Sequence, residues 1–370
     1  MKIAIDISQL AYPGSGVAVY TRELVTHLLM QRSNNEFLLF GSSLRKKQLL
    51  NEFWKHCLSY GANLDRCLLP FPQTMLAYLW NRFHALHIEA FTGPIDIFHS
   101  SDWIEPPTRS PKITTIHDLL VYKFAEFMHP SIVANQKRKL EWVKKESDRI
   151  IVDSESTKHD CIELLHLEEN RLRVVHLGVS KKFQIQPHTI VQKILKKYRI
   201  EKKFLLAVGT LEPRKNIDRI IKAHSSMKKQ SDIDLVVVGK WVWGEKLEFP
   251  NSVHMLSNID VADLPALYTG ASCFLYPSLY EGFGLPVLEA MACGCLVVTS
   301  SRGSLKEIAG DAAIIVDPQR VDSILYGIEK SLDMDEEDRK KMISKGLEWA
   351  KKFTWEKTAA ATQKIYEEFK

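Results

Sequence analysis

The sequence contains no long apolar run. None of its hydrophobic stretches reaches the roughly 18 residues that a membrane-spanning helix needs. The first ten residues, MKIAIDISQL, carry Asp6 where a signal peptide would be apolar, so we expect a first strand there. The charges are nearly balanced, with 50 Lys and Arg against 45 Asp and Glu, and the small cationic excess is spread along the chain. This distribution does not favour a nucleic-acid partner. We therefore expect a cytoplasmic protein whose contact with the inner face of the cytoplasmic membrane is at most peripheral.

Cysteine is scarce and scattered. The six cysteines show no C-x-x-C spacing, and several lie in apolar segments. This distribution suits a reduced protein better than a disulfide framework or a zinc site. With 370 residues, 45% of them hydrophobic, the chain is too long for one ordinary core and suits two domains.

One segment is densely cationic. The stretch NQKRKLEWVKK (135–145) places five cationic groups around Trp142. A solvated helix face explains this composition, and so does contact with lipid phosphates at a membrane surface. The sequence leaves both interpretations open.

Short apolar, β-branched runs alternate with helical periodicity through almost the whole chain. In the first half we predict strands at residues 2–7, 36–41, 95–100, 112–118, 149–154 and 173–178. In the second half we predict strands at residues 204–209, 233–239, 252–256, 272–277, 295–300 and 312–317. Continuous apolar strands are buried on both faces, as in parallel sheets. The rhythm breaks near residues 178–190, so we expect an α/β fold of two doubly wound Rossmann-like domains, 1–180 and 181–353, facing a central cleft.

The loop after the strand at 204–209 reads TLEPRKNIDRI. It places Arg214 and Lys215 at the turn into a helix, with Asn216 as the expected N-cap. Two cations beside the free amides of a helix start form an anion site, and a diphosphate suits it. Taken alone, the two residues fit equally well as partners of surface carboxylates.

The stretch YPSLYEGFGLPVLEAMACGC (276–295) places two carboxylates, Glu281 and Glu289, on either side of a glycine-rich turn that enters a helix. Gly282 and Gly284 allow the backbone to approach a ligand closely, and Pro286 fits the first helical position. The backbone amides at this helix start then face a negative group; they belong to Phe283, Gly284 and Leu285.

The two carboxylates are poor ligands for a phosphate but good acceptors for sugar hydroxyls. We expect Glu289 to bind a ribose and Glu281 to bind a second sugar, so that together they hold a nucleotide-sugar around its diphosphate. The alternative, an exposed loop with two carboxylates near a helix dipole, does not explain both glycines.

Weaker signals follow strands of the first half. Gly14 and Gly16 precede a helix, where a ligand-approaching loop and a plain turn are equally plausible. His117, beside Asp118, ends a strand and is expected to donate to a sugar hydroxyl or a developing charge. His99 has a similar position with less support.

One motif resembles a metal site. Asp232 and Asp234 have the spacing of a D-x-D metal-binding motif, but we expect them to precede their strand, at the end away from the cleft. We therefore predict no metal ion and no cofactor besides the nucleotide-sugar co-substrate.

Together these motifs resemble the large retaining family-4 glycosyltransferases of the GT-B fold. The resemblance covers nearly the whole chain: EGFGLPVLE has the E-x7-E pattern of that family, and VGTLEPRKN, TIHDL, IIVDSESTKHD and VVHLGV occur in the expected order. The chain departs from the pattern at Ala18 and Val19, where relatives often carry a second glycine and then arginine. This departure concerns the loop contacts and the acceptor.

The resemblance implies a role for each residue. Glu289 would bind the donor ribose, Glu281 the transferred sugar and His117 that same sugar, while Gly16 would be the glycine of the N-terminal loop. Arg214 and Lys215 would hold the diphosphate. The first domain would bind the acceptor and the second the nucleotide-sugar, and a C-terminal helix at 354–370 would pack back on the first domain.

The resemblance also implies an activity: retaining transfer of a hexose from GDP-mannose or a UDP-sugar to a saccharide or lipid-linked saccharide. Such transfer builds cell-surface polysaccharides, O-antigens or glycolipids. Two alternatives remain open, an epimerase of nucleotide-sugars on the same fold and a catalytically silent partner subunit. The intact Arg214, Lys215, Glu281 and Glu289 argue against the silent subunit.

Overall fold

The structure, a computed structural model, describes residues 1–31, 33–60, 63–228, 232–241 and 249–370. The strands are β1 Lys2–Asp6, β2 Glu36–Ser42, β3 Leu64–Leu69, β4 Ile97–Ser100, β5 Lys112–Ile116, β6 Arg149–Val152, β7 Leu172–Val174, β8 Lys203–Val208, β9 Ile233–Val238, β10 Val253–Leu256, β11 Cys273–Tyr276, β12 Val297–Ser300 and β13 Ile314–Val316. The helices are α1 Gly16–Met30, α2 Lys47–Cys57, α3 Gln73–Ala77, α4 Glu89–Thr92, α5 Leu120–Lys123, α6 Pro130–Glu146, α7 Glu155–Leu165, α8 His188–Lys197, α9 Ile217–Ser225, α10 Leu264–Gly270, α11 Leu285–Ala292, α12 Leu305–Ala309, α13 Val321–Asp333, α14 Glu336–Ala350 and α15 Trp355–Glu367.

The chain divides into two compact units. Unit 1 comprises Met1–Leu177 and Trp355–Lys370, and unit 2 comprises Gly178–Thr354. In unit 1, α15 lies against α1. Its Tyr366 hydroxyl lies 2.7 Å from His99 Nδ1, and both side chains are buried. The last helix is thus an integral part of the first unit's core.

Unit 1 is built on a parallel sheet. Within the described residues, seven strands pair in the order β3-β2-β1-β4-β5-β6-β7. The apolar strands β1, β2 and β4 are almost completely buried, as strands covered on both faces must be. The strand order reverses between β1 and β4, which makes the carboxyl ends of these two strands the topological switch point of the sheet.

The strand β3 was not expected from the sequence. Its residues LDRCLL lie at the sheet edge, with Asp65 and Arg66 exposed. An edge strand tolerates charged residues because part of it faces solvent, so it lacks the apolar run that marks the central strands.

Unit 2 repeats the architecture. Among its described residues, six strands pair in parallel in the order β10-β9-β8-β11-β12-β13. Its core contains the apolar side chains of β8, β9, β11 and β12 together with one face each of α9 and α13. The order reverses between β8 and β11, so the loops that follow these two strands meet at the switch point. The prediction of two doubly wound α/β domains is therefore confirmed.

Candidate active site

In unit 2, the loops after β8 and β11 are tied together by Asn216. Its backbone is left-handed, with φ of 62°. Its Nδ2 donates to the carbonyl oxygens of Pro277 at 3.0 Å and Pro318 at 2.7 Å. Asn216 does occupy the residue before α9, but its side chain caps none of the backbone amides of that helix. Its Oδ1 instead accepts from Arg219 Nη1 at 2.8 Å. The predicted N-cap interaction is therefore wrong, because the side chain anchors the two neighbouring loops instead.

This anchoring brings a basic pair onto one carboxylate. Glu281 Oε2 lies 2.7 Å from Arg214 Nη1, and Glu281 Oε1 lies 2.7 Å from Lys215 Nζ. Arg214 also pairs with Glu212, and Lys215 Nζ donates to the Tyr276 hydroxyl at 2.5 Å. The four charged side chains balance one another, so in the free protein the cations already have anionic partners.

Burial and ion pairing act on Glu281 in opposite directions. Burial alone would raise the pKa of its carboxyl, but the charges of Arg214 and Lys215 outweigh burial and lower that pKa to about 2. The pKa of Lys215 is lowered, because burial outweighs the attraction of Glu281. Glu281 is therefore ionised at any physiological pH, and the pair is held in a largely buried setting.

The glycine-rich turn has a geometry that only glycine adopts readily. Gly284 has φ of 98°, and a Cβ placed there would lie 2.7 Å from Leu305 Cδ2. The Ser304 hydroxyl stabilises the turn through hydrogen bonds to the carbonyl oxygens of Glu281 at 3.1 Å and Phe283 at 2.6 Å. The helix α11 starts at Leu285, so Pro286 is its second residue and not its first as predicted.

Glu289 lies one turn inside α11. The Tyr268 hydroxyl donates to Glu289 Oε2 at 3.4 Å. Burial raises the pKa of Glu289 to about 7, while Lys182 and the Tyr268 hydrogen bond act in the opposite direction. Glu281 and Glu289 thus have the same chemistry but different environments: the first is locked in ion pairs, and the second is weakly partnered.

In unit 1, His117 follows β5 and pairs with a buried carboxylate. Its Nδ1 lies 2.7 Å from Asp153 Oδ2, and its ring contacts the edge of Tyr20 at 4.6 Å between centroids. Burial lowers the pKa of His117, but the charge and hydrogen bond of Asp153, together with the charges of Asp102 and Asp118, outweigh burial, so the net shift is upward. The second oxygen, Asp153 Oδ1, has no hydrogen-bond partner among the described residues.

His99, the weaker candidate, has a structural environment. Its Nδ1 bonds to Tyr366 and its Nε2 lies 2.9 Å from the Thr115 hydroxyl. Burial lowers the pKa of His99 to about 3, so it stays neutral. Both of its nitrogens are occupied within the core, and it is not available to a ligand.

The N-terminal loop leads into α1. Gly14 has φ of 94°, and Ser15 caps the helix by accepting from the amide of Ala18 at 3.1 Å. Gly16 is the first residue of α1, and a Cβ built there would meet no atom within 4 Å. Packing inside the chain therefore does not require glycine at position 16.

Several residues of these sites were missed in the sequence. Asp153 and Tyr276 are the partners of His117 and Lys215, and Glu212 is the second partner of Arg214. Each belongs to or follows a predicted strand, so the carboxyl-end rule applied to every strand would have found them.

Among the described residues, no three His, Cys, Asp or Glu side chains form a group that could hold a metal ion. Asp232 precedes β9, but Asp234 is the second residue of that strand, and its Oδ2 lies 2.8 Å from His254 Nε2. Both acids lie at the amino end of β9, whereas Arg214 and Lys215 follow the carboxyl end of β8. Over the same described part of the chain, no helix is long and apolar enough to cross a membrane.

Comparison with family models matches both halves of the chain. Residues 191–349 match the family described as Glycosyl transferases group 1, and residues 14–183 match Glycosyltransferase Family 4. The chain is 30% identical over 382 residues to the O-antigen chain mannosyltransferase B of Escherichia coli, with 99% of each chain covered.

Two solved structures share the fold. Sucrose-phosphate synthase from Thermosynechococcus elongatus superposes with a TM-score of 0.74 at 18% identity, covering 100% of this chain and 98% of that one. The Anabaena HepE protein in complex with UDP-glucose gives a TM-score of 0.73 at 17% identity, covering 99% and 98%. At these identities the likeness shows the fold alone.

Proposed function

The chain belongs to the group 1 glycosyl transferases with the GT-B fold, and from that membership we propose a retaining, metal-independent transfer of a hexose from a nucleotide-sugar. The observation that carries the proposal is the pairing of Arg214 and Lys215 with Glu281 at the switch point of unit 2. Ligands of doubly wound sheets bind at such points.

The two cations suit a leaving diphosphate. Charge grows on the diphosphate as the sugar departs, and a buried cation stabilises it more strongly than an exposed one. The start of α11 adds backbone amides that have no partner inside the helix. Binding requires the diphosphate to compete with Glu212 and Glu281 for Arg214 and Lys215, which favours a strongly anionic ligand over a neutral one.

The two carboxylates, Glu289 and Glu281, are each assigned to one sugar of the donor. Glu289, with a raised pKa and one long hydrogen bond, accepts from the ribose hydroxyls. Glu281, next to the cations that hold the diphosphate, lies where the transferred sugar is attached and accepts from its hydroxyls. In unit 1, His117, oriented by Asp153, is proposed to donate from its ring to a sugar hydroxyl.

Retention follows from departure and attack on one face of the sugar. The bond from the anomeric carbon to the phosphate oxygen breaks first, and the acceptor oxygen bonds to the same carbon from that side. The acceptor's proton passes to the departing phosphate oxygen, so no protein nucleophile is required.

We propose GDP-mannose as the donor and a saccharide or lipid-linked saccharide as the acceptor, in the synthesis of a cell-surface polysaccharide. The support is the EPRKN sequence at residues 212–216 and the O-antigen mannosyltransferase relative. A UDP-sugar is the second candidate, because the HepE structure of the same fold binds UDP-glucose.

A thermal-shift screen tests the donor. GDP, UDP, ADP and their hexose derivatives are compared, and a ligand at 100 times its dissociation constant should stabilise the fold by about 2.7 kcal/mol. The matching nucleotide-sugar is then incubated with saccharide acceptors. Transfer supports the proposal, whereas isomerisation of the sugar would indicate an epimerase, and binding without turnover would indicate a silent subunit.

A further inference from the structure

A helical segment of unit 1 is apolar on both sides. The helix α3 continues into a π-helical turn, Tyr78–Arg82, and its inner face is buried through Leu76, Ala77 and Trp80. The outer face carries exposed apolar side chains where a surface helix normally carries polar ones. These side chains are Met75, Tyr78, Phe83 and, in the following loop, Leu86. We call Met75, Tyr78, Arg82, Phe83 and Leu86 the 75–86 surface.

The exposure in this segment is high. Tyr78 is 62% exposed and Phe83 is 69% exposed. Isolated exposed hydrophobic residues are common, but here four occur within twelve residues, and such patches mark binding surfaces.

The backbone holds these side chains in fixed positions. The Phe83 amide donates to the Tyr78 carbonyl at 3.1 Å and so closes the π turn between these two residues. Leu86 has φ of 66°, an uncommon conformation for a residue with a Cβ. The Trp80 indole fixes it by donating to the Leu86 carbonyl at 2.9 Å. The loop is thus anchored to the buried Trp80, with the Leu86 side chain half exposed.

From Arg66 to Ile88 the sequence contains no acidic residue, while it contains Arg66 and Arg82. One carboxylate approaches from α6, because Glu146 Oε1 lies 2.7 Å from His84 Nε2. Next to the surface, the Trp142 indole of α6 donates to the Asn81 carbonyl at 3.0 Å and stacks on His84 at 3.6 Å between ring centroids.

Spacing along α6 adds two exposed cations to this side. Arg138 and Lys145 lie four residues before and three residues after Trp142, so the three share one face of the helix. Two acidic residues of α6 lie on or near this side: Glu141 is exposed, and Glu146 pairs with His84 and Lys112 at 2.7 Å each. Lys139 does not contribute, because it is buried beside Glu105 at 3.9 Å. The segment 135–145 is therefore not a uniformly solvated cationic face.

We propose that the 75–86 surface docks unit 1 on a membrane leaflet that contains anionic lipids. Exposed Tyr, Phe, Leu and Met side chains would enter the headgroup region, and Arg82, Arg138 and Lys145 would contact lipid phosphates. A cavity of about 560 Å³ adjoins the surface at Leu86, and its lining contains both Arg109 and Glu89, so its charge does not favour a phosphate. The inference does not depend on the donor or on the reaction.

The test is vesicle co-sedimentation of the full chain. Vesicles of phosphatidylcholine alone are compared with vesicles that also contain phosphatidylglycerol. We expect binding to the anionic vesicles only. The double variant Tyr78→Ser/Phe83→Ser should weaken binding by about tenfold or more, since it removes two apolar side chains that would be buried. Arg82→Glu should weaken it by about fivefold or more.

A matched control removes two side chains of similar exposure from unit 2. Val261 is 53% exposed and Tyr326 is 60% exposed, and the variant Val261→Ser/Tyr326→Ser should bind vesicles as the unchanged protein does. Thermal unfolding and diphosphate binding are measured on every variant to show that each is folded. Equal binding to neutral and anionic vesicles, or unchanged binding of both surface variants, would overturn the proposal. A dimer in sedimentation velocity that Phe83→Ser abolishes, without vesicle binding, would assign the surface to a second copy instead.

Discussion

Glu281 holds Lys215 by an ion pair of 2.7 Å in a largely buried part of unit 2. The same carboxylate also binds Arg214, so the anion that we assign to the sugar is the counter-charge of the cations that we assign to the diphosphate. Under these assignments, sugar and diphosphate binding would be coupled through one side chain. The predictions below follow from this coupling and from the separate environments of Glu289 and His117.

Glu281→Gln should lower stability and turnover without weakening the affinity for the nucleoside diphosphate. Removing the charge leaves two buried cations with less compensation, so we expect a loss of about 2–4 kcal/mol in the free energy of unfolding. The bare nucleoside diphosphate should bind at least as tightly as before, because a competing carboxylate is gone. Transfer should be impaired.

Chemical denaturation, calorimetry with the diphosphate and steady-state kinetics measure the three effects. Glu348→Gln is the control, because Glu348 pairs with Lys351 at an exposed site and should change stability by less than about 1 kcal/mol. A diphosphate affinity that falls as far in Glu281→Gln as in Glu289→Gln would contradict the assignment.

The raised pKa of Glu289 predicts that the stability of the folded protein depends on pH. Its pKa in the folded state is about 7, above the ordinary value of 4.5, so the folded protein binds more protons than the unfolded chain between these values. Stability should therefore fall as pH rises from about 4.5 through 7. Glu289→Gln removes this titration. We expect it to exceed the unchanged protein in stability by about 1–3 kcal/mol at pH 8 and to show little difference at pH 4. Identical stability differences at both pH values would show that Glu289 is not desolvated.

Asp153→Asn should lower the pKa of His117. The carboxylate favours the protonated imidazole through its charge and its hydrogen bond, and the amide keeps only the shape. We expect the imidazole titration followed by NMR to move to lower pH, with a matching shift in the pH profile of transfer. Asp65→Asn, at the exposed edge strand, is the control. An unchanged His117 titration in Asp153→Asn would show that the pair is not electrostatically coupled.

Alanine substitutions at Gly284 and Gly16 should affect different properties: the first should lower stability, and the second should lower donor affinity. Gly284→Ala forces a Cβ to 2.7 Å from Leu305 at a φ of 98°, and should cost about 1–3 kcal/mol of stability. Gly16→Ala meets open space and should leave stability unchanged, while reducing donor affinity if a ligand approaches that position. Thermal unfolding and nucleotide-sugar binding separate the two effects. If Gly16→Ala binds the donor with unchanged affinity, Gly16 does not contact the donor.

The fold follows from patterns that a sequence displays directly. The buried central strands are continuous apolar runs, and each predicted run is a strand in the structure. The edge strand β3 lacks this signal because it includes the exposed charged residues Asp65 and Arg66.

The site was harder to predict because its geometry depends on contacts between distant loops. The sequence places Arg214 and Glu281 after different strands, but it does not indicate that their charges meet. Asn216 shows the same limit: its position before a helix predicts capping, whereas its side chain bonds to Pro277 and Pro318. Such contacts are fixed by the strand order, which places β8 next to β11.

The proposal also predicts activity without added metal. The leaving diphosphate would be neutralised by Arg214 and Lys215, and the D-x-D acids lie at the other end of their strand, with Asp234 bonded to His254. Transfer should persist in excess EDTA. Loss of activity in EDTA that Mn²⁺ or Mg²⁺ restores would contradict this prediction.

The central claim is that Arg214 and Lys215 hold the donor diphosphate, and calorimetry tests it most directly. The nucleoside diphosphate selected by the thermal-shift screen is titrated into Arg214→Ala/Lys215→Ala and into the control Lys340→Ala/Lys341→Ala, which removes two exposed cations of α14. Each lost charged hydrogen bond is worth about 1.5–3 kcal/mol, so the first variant should bind at least about tenfold more weakly while the control binds normally. Equal affinities in the two variants would contradict the account.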